Sequence, residues 1–169
     1  DLASELQRWQ NDLVGDGWNV IRKDVKRSAS VTSVKQIVLD ALHADTTIRS
    51  LFLFGHVPVP YSGFLNPDGH PNHYGAWPAD MYYGDTLSDY TDEMVDSTSM
   101  QSRQPNANFP GDGKFDVTIP DAGVSLEIGR VDLSHMPSFA TSEKELLRNY
   151  LNKDHAFRRS EEHTSELQS

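Results

Sequence analysis

The stretch LFLFGHVPVP, residues 51–60, decides the fold. Four apolar residues run straight into Gly55 and His56, and Pro58 and Pro60 follow. An apolar run of this length with turn residues behind it reads as a strand buried on both faces. Such strands belong to parallel sheets covered by helices, where ligands bind outside the carboxyl ends of the strands. His56 and the loop after it are therefore the first place to look for a site.

Outward from this stretch, the flanking segments alternate. Leu2, Leu6, Trp9 and Leu13 form one stripe of a helix, stopped by Gly15 and Gly17. Residues 17–25, GWNVIRKDV, read as a strand centred on Val20 and Ile21. Ser33 and Gln36 make a capping box for a helix carrying Val34, Ile37, Val38, Ala41 and Leu42 on one face. With the strand at 48–54 this makes a βαβ unit. Residues 57–116 show little periodicity and hold most of the prolines, as a long functional insertion or one hiding short elements would. Within it, 79–83 and 114–119 read as short strands. A strand at 124–128 follows, closed by Gly129 and Arg130. Ser142 and Glu145 then cap a final helix bearing Leu146, Leu147, Tyr150, Leu151 and Phe157. The expected architecture is α/β. It is a parallel-sheet α/β/α sandwich of about four strands, one domain over residues 1–158 with a long loop insertion at about 57–116. Residues 159–169, RSEEHTSELQS, read as translated sequencing adapter and are set aside from fold reasoning. The natural sequence is thus expected to be a fragment.

Composition narrows the function. The 169 residues are 37% hydrophobic and 24% charged, a globular balance, and no apolar run approaches the ~20 residues of a membrane helix. A formal net charge of −10 argues against nucleic acid as a partner. Absence of cysteine removes disulfides, thiolate metal sites and a cysteine nucleophile from these residues.

Several groups could carry chemistry. His56 could act as a general base given a partner carboxylate or nucleophile, or simply hydrogen-bond at a strand end. Asp68, His70 and His73 in PDGHPNH could ligate zinc, although Asn, Asp, Gly and Pro are also turn formers, and the turn is the preferred reading. Asp80, Asp85, Asp112 and Asp116 are the preferred metal candidates. They are hard oxygen donors in an acidic segment, and GDGKFD resembles part of a calcium loop, D-x-D-G-x-x-D, incomplete because Pro110 holds the first aspartate position, with a solvated acidic loop as the rival. Trp77, Tyr82 and Tyr83 could form a glycan or peptide platform or pack beneath the loop, and packing is preferred. Asp132, Ser134 and His135 are too close in sequence to converge as a triad, so Asp132 or Ser134 is expected to turn the chain. Arg130 could pair with an aspartate or bind a carboxylate substrate.

The order of these pieces resembles the first half of gingipain-type cysteine peptidases. The motifs are the strand ending in Gly55, Ala-Asp-x-Tyr-Tyr-Gly-Asp at Ala79–Asp85, Ile-Gly-Arg-Val at Ile128–Val131 and the Ser-capped helix. His56 stands where that family usually has Asp, and Asp132 where it usually has Pro. The resemblance spans about 48–157. It implies a caspase-like fold, an exported bacterial parent at the cell surface or outside the cell, protein or peptide substrates, and calcium as a bound ion. In that family the catalytic His and Cys lie on later strands, so no catalytic residue carries over and these residues alone are expected to be inactive. Two alternatives stand beside it: a non-catalytic calcium- or glycan-binding surface module, and a small α/β hydrolase-like enzyme using His56.

Overall fold

A computed structural model describes residues 1–66, 68–121 and 123–166, the side chains of 161–166 excepted. The chain forms two units, residues 1–24 with 132–169, and residues 25–131.

The larger unit holds the sheet. Helix α2 (Val31–Ala44) begins one turn earlier than the capping box at Ser33 suggests: Ser30 is the cap, and its hydroxyl accepts the Ser33 N–H at 3.1 Å. Strand β1 (Ser50–Phe54) follows. The two-residue strands β2 (Tyr61–Ser62) and β3 (Trp77–Pro78) pair antiparallel. Helix α3 (Met81–Gly84) and a 3-10 turn (Gln104–Asn106) occupy the long loop, and strand β4 (Glu127–Val131) closes the unit.

Strands β1 and β4 pair in parallel, in register from Ser50 with Glu127 to Phe54 with Val131. The expected side-by-side, same-direction pairing of the two apolar segments is therefore present. The sheet around it is smaller than expected. Among the described residues it has two strands, and residues 17–25 are unpaired, with Trp18 53% and Ile21 45% exposed. Without a neighbouring strand, β-branched residues cannot form a ladder. Residues 79–83 also differ from expectation, since Met81–Gly84 is helical. Residues 114–119 supply only an isolated bridge, Ser62 with Phe115. The second sheet strand starts at Glu127 rather than Val124, because the Ser125 and Leu126 N–H groups donate to the Gly84 carbonyl.

The sheet face built by Leu51, Leu53 and Ile128 is the core face. Val34, Leu53, Val57, Tyr82, Tyr83 and Phe115 form one buried cluster, with Leu51, Tyr90 and Ile128 packed against it. Burial along β1 alternates: Leu53 is 4% exposed and Phe52 43%. It is the pattern of a strand covered mainly on one face, not the continuous burial expected of it.

The smaller unit pairs α1 (Ala3–Gly15) with α4 (Glu143–Glu166). Ser142 caps α4 as expected, accepting the Glu145 N–H at 3.3 Å. Side-chain pairs tie the two helices: Arg148 with Glu5 at 2.7 Å, His155 with Asp12 at 2.8 Å, and Arg158 with Asp16. No described helix is long and apolar enough to cross a membrane.

Candidate functional site

Parallel pairing brings the carboxyl ends of β1 and β4 to one rim. The Gly55 N–H donates to the Val131 carbonyl at 2.8 Å, and Gly55 then takes φ 78°. That left-handed conformation, which glycine adopts without strain, turns the chain out of the sheet at half-buried His56.

Arg130 organises this rim. Its guanidinium grips the Asp80 carboxylate through Nε to Oδ2 at 2.7 Å and Nη2 to Oδ1 at 2.8 Å. Nη1 donates to the Val57 carbonyl at 2.7 Å. A planar fork is matched to a carboxylate in this way, and lysine could not copy it. The Tyr83 hydroxyl donates to the Pro58 carbonyl at 2.7 Å, and burial pushes that phenol well above its usual range. Two side chains from motifs distant in sequence therefore hold the segment leaving β1. The expectation that Arg130 pairs with an aspartate is met, and the partner is Asp80.

Behind the rim, Lys35 of α2 reaches the end of α3. Its Nζ donates to the Tyr82 carbonyl at 2.6 Å and also to the Asp85 carbonyl. These are the orphan acceptors of a helix C-terminus. Burial lowers the Lys35 pKa, and the Asp85 charge opposes that shift. Asp85 itself is 1% exposed. Its Oδ1 accepts the Leu87 and Ser88 N–H groups at 3.0 and 3.1 Å, and Oδ2 accepts the Tyr90 hydroxyl at 3.3 Å. Burial alone would raise its pKa, but these donors outweigh burial and hold it below the usual value. Tyr82 and Tyr83 are core residues: Tyr82 stacks on Phe115 at 4.5 Å, and Tyr90 meets both edge-on.

Asp112 and Asp116 lie in the distal part of the long loop. Asp116 accepts the N–H groups of Glu93, Met94 and Val95 and the Thr91 hydroxyl, at 2.9 to 3.2 Å. Burial opposes ionisation there and these donors override it, so its pKa is lowered. Asp112 accepts the Lys114 N–H at 2.8 Å and pairs with the Lys114 ammonium at 2.9 Å. Asp92, another aspartate of the same acidic segment, accepts the Gly111 and Gly113 N–H groups at 2.8 and 2.7 Å. A calcium ion on these aspartates would have to take its oxygens from the N–H groups and cations that now hold them. Of the sequence candidates, Asp80 thus sits with Arg130, Asp85 under α3, and Asp112 and Asp116 in the loop.

Among the described residues, the group of three donors that does converge is Asp68, His70 and His73, with ligand atoms within 4.8 Å of one another. In the smaller unit, Asp132 accepts the Ser134 N–H at 2.9 Å and turns the chain, the local role expected of it.

Comparison with protein-family models, with curated proteins and with solved structures finds no match.

Proposed function

We propose that this chain is the leading, scaffold portion of an exported gingipain-like cysteine peptidase. The catalytic His and Cys come from strands outside these residues, and the substrates are proteins or peptides. One observation carries it: two of the four motifs on which the resemblance rests, Ala79–Asp85 and Ile128–Val131, meet through the Asp80–Arg130 pair. They meet at the carboxyl end of a parallel strand pair, where an open α/β sheet places its ligand. The scaffold role rests on the chemistry of the residues present. With no cysteine in the chain, a thiolate nucleophile must be supplied from elsewhere.

The test is to read the coding sequence downstream and express the extended chain. The expected result is a strand ending in His-Gly, another ending in Cys, and covalent labelling of that Cys by a thiol-directed peptidyl inhibitor. An extended frame lacking both strands, or an unlabelled Cys, would contradict the peptidase assignment. Peptide hydrolysis by the 169 residues alone, abolished in His56→Ala, would favour the His56 hydrolase instead.

A further inference from the structure

The loop between β2 and β3 carries a second cluster, unconnected with the peptidase proposal. The backbone closes this loop on itself. Leu65 and Tyr74 form an antiparallel bridge, the Asn66 N–H donates to the His73 carbonyl at 3.1 Å, and the His73 N–H donates to the His70 carbonyl at 3.0 Å. From outside, the Ser102 hydroxyl donates to the Asn72 carbonyl at 2.7 Å and accepts the Tyr74 N–H at 2.9 Å. Three side chains then converge. Oδ2 of Asp68 lies 2.6 Å from Nδ1 of His73 and 3.2 Å from Nδ1 of His70. The His73 ring stacks on Trp77 at 5.1 Å and 13°, and Arg103 sits 5.6 Å from the centre of the same indole.

We propose that Asp68, His70 and His73 bind a divalent ion of the zinc class, through one carboxylate oxygen and two imidazole nitrogens, with the remaining coordination open to water. Two nitrogens and one oxygen suit zinc and its late-transition neighbours, whereas calcium asks for six to eight oxygens. Both Nδ1 atoms already face the same carboxylate oxygen. One cation fits among all three with a modest opening of the cluster, because zinc holds its ligands at ~2.0–2.2 Å. The supports of the loop are its own backbone bonds, the Ser102 hydroxyl and a ring stack, so the ligands are placed before the ion arrives. His73 is half-buried while Asp68 and His70 are exposed, which leaves an entry path and open coordination. The same three residues could instead serve only as a turn, with Asp68 accepting from two imidazoles, and the experiment separates the two.

Zinc is titrated calorimetrically into the chelator-treated 169-residue chain, and cobalt(II) is followed by its visible absorption. The expected result is one saturable equivalent, insensitive to millimolar calcium, with amide shifts concentrated at residues 68–75. Asp68→Asn, His70→Ala and His73→Ala should each weaken binding by more than the ~10–100-fold typical of losing an outer-shell partner. His43→Ala, on the exposed end of α2, should leave it unchanged. The metal-free melting midpoint of each variant establishes that it folds. Should a ligand variant fail to fold, the amide shifts of the unaltered chain decide. Absent saturation, equal binding in the ligand variants, or shifts scattered over the other histidines would overturn the site and leave a turn.

Discussion

Arg130 holds Asp80 with two hydrogen bonds of 2.7 and 2.8 Å across fifty residues of sequence. The pair joins the last strand of the sheet to the residue that precedes α3. Both side chains are largely covered, with Arg130 15% and Asp80 28% exposed. Removing one partner strands the other in a site of poor solvation. Asp80→Asn is expected to lower stability by about 1–3 kcal/mol, the cost of an unsatisfied buried group. Arg130→Lys keeps the charge without the fork and should recover only part of the native stability. Urea unfolding midpoints check both, and an Arg130→Lys variant as stable as the native chain would remove the bidentate pair from the account.

Gly84 lies against the second sheet strand so closely that a methyl group there would come 2.5 Å from Ile128 Cδ1 and 2.8 Å from Val124 Cγ1. Gly84→Ala is therefore expected to destabilise by roughly 1–3 kcal/mol through overpacking. The companion Gly84→Ala/Ile128→Val should recover part of that loss, and chemical denaturation of the two variants measures it.

Acid should weaken the helix pair of the smaller unit. The Arg148 hydrogen bond, aided by those of the Glu5 backbone and Ser4, holds the Glu5 carboxyl down to about 2 from an ordinary 4.5. A depressed folded-state pKa contributes stability that is complete above the unfolded value and lost as pH falls toward the folded one. The Glu5 contribution should therefore be whole above about pH 4.5 and fade between there and about 2. Glu5→Gln should flatten that part of the stability–pH curve, and an unchanged curve would place the acid sensitivity elsewhere.

The acidic part of the long loop is held by its own backbone. Asp116 caps three successive N–H groups, so the loop should keep its order in chelator, and millimolar calcium should leave the melting midpoint within a degree or so. A calcium-dependent rise of several degrees, lost in Asp116→Asn, would instead place the ion there.

What sequence could reveal divides along the range of the interactions. Helices α1, α2 and α4 and the apolar strands announce themselves through local periodicity, and their parallel pairing follows from strand runs that each end in Gly plus a polar residue. The short helix at Met81–Gly84 does not: its carbonyls are satisfied by Lys35, 47 to 50 residues away, and four residues are too few to show a period. Residues 17–25 have the composition of a strand but no neighbour to pair with, which no local pattern records. The site divides likewise. Asp68, His70 and His73 are visible as a spacing because one turn assembles them. Asp80 and Arg130 were each visible as candidates, but their union depends on how the whole loop returns to the sheet.

The account stands on β1 and β4 lying side by side and pointing the same way. The absence of native cysteine makes paired cysteines a clean probe of this. Ser50→Cys with Glu127→Cys, and Phe54→Cys with Val131→Cys, are in register and should each form an intramolecular disulfide on mild oxidation. The crossed pair, Ser50→Cys with Val131→Cys, should not, because it joins opposite ends of the ladder. A crossed disulfide in place of the two straight ones would mean antiparallel strands and would contradict the shared rim and the peptidase proposal built on it.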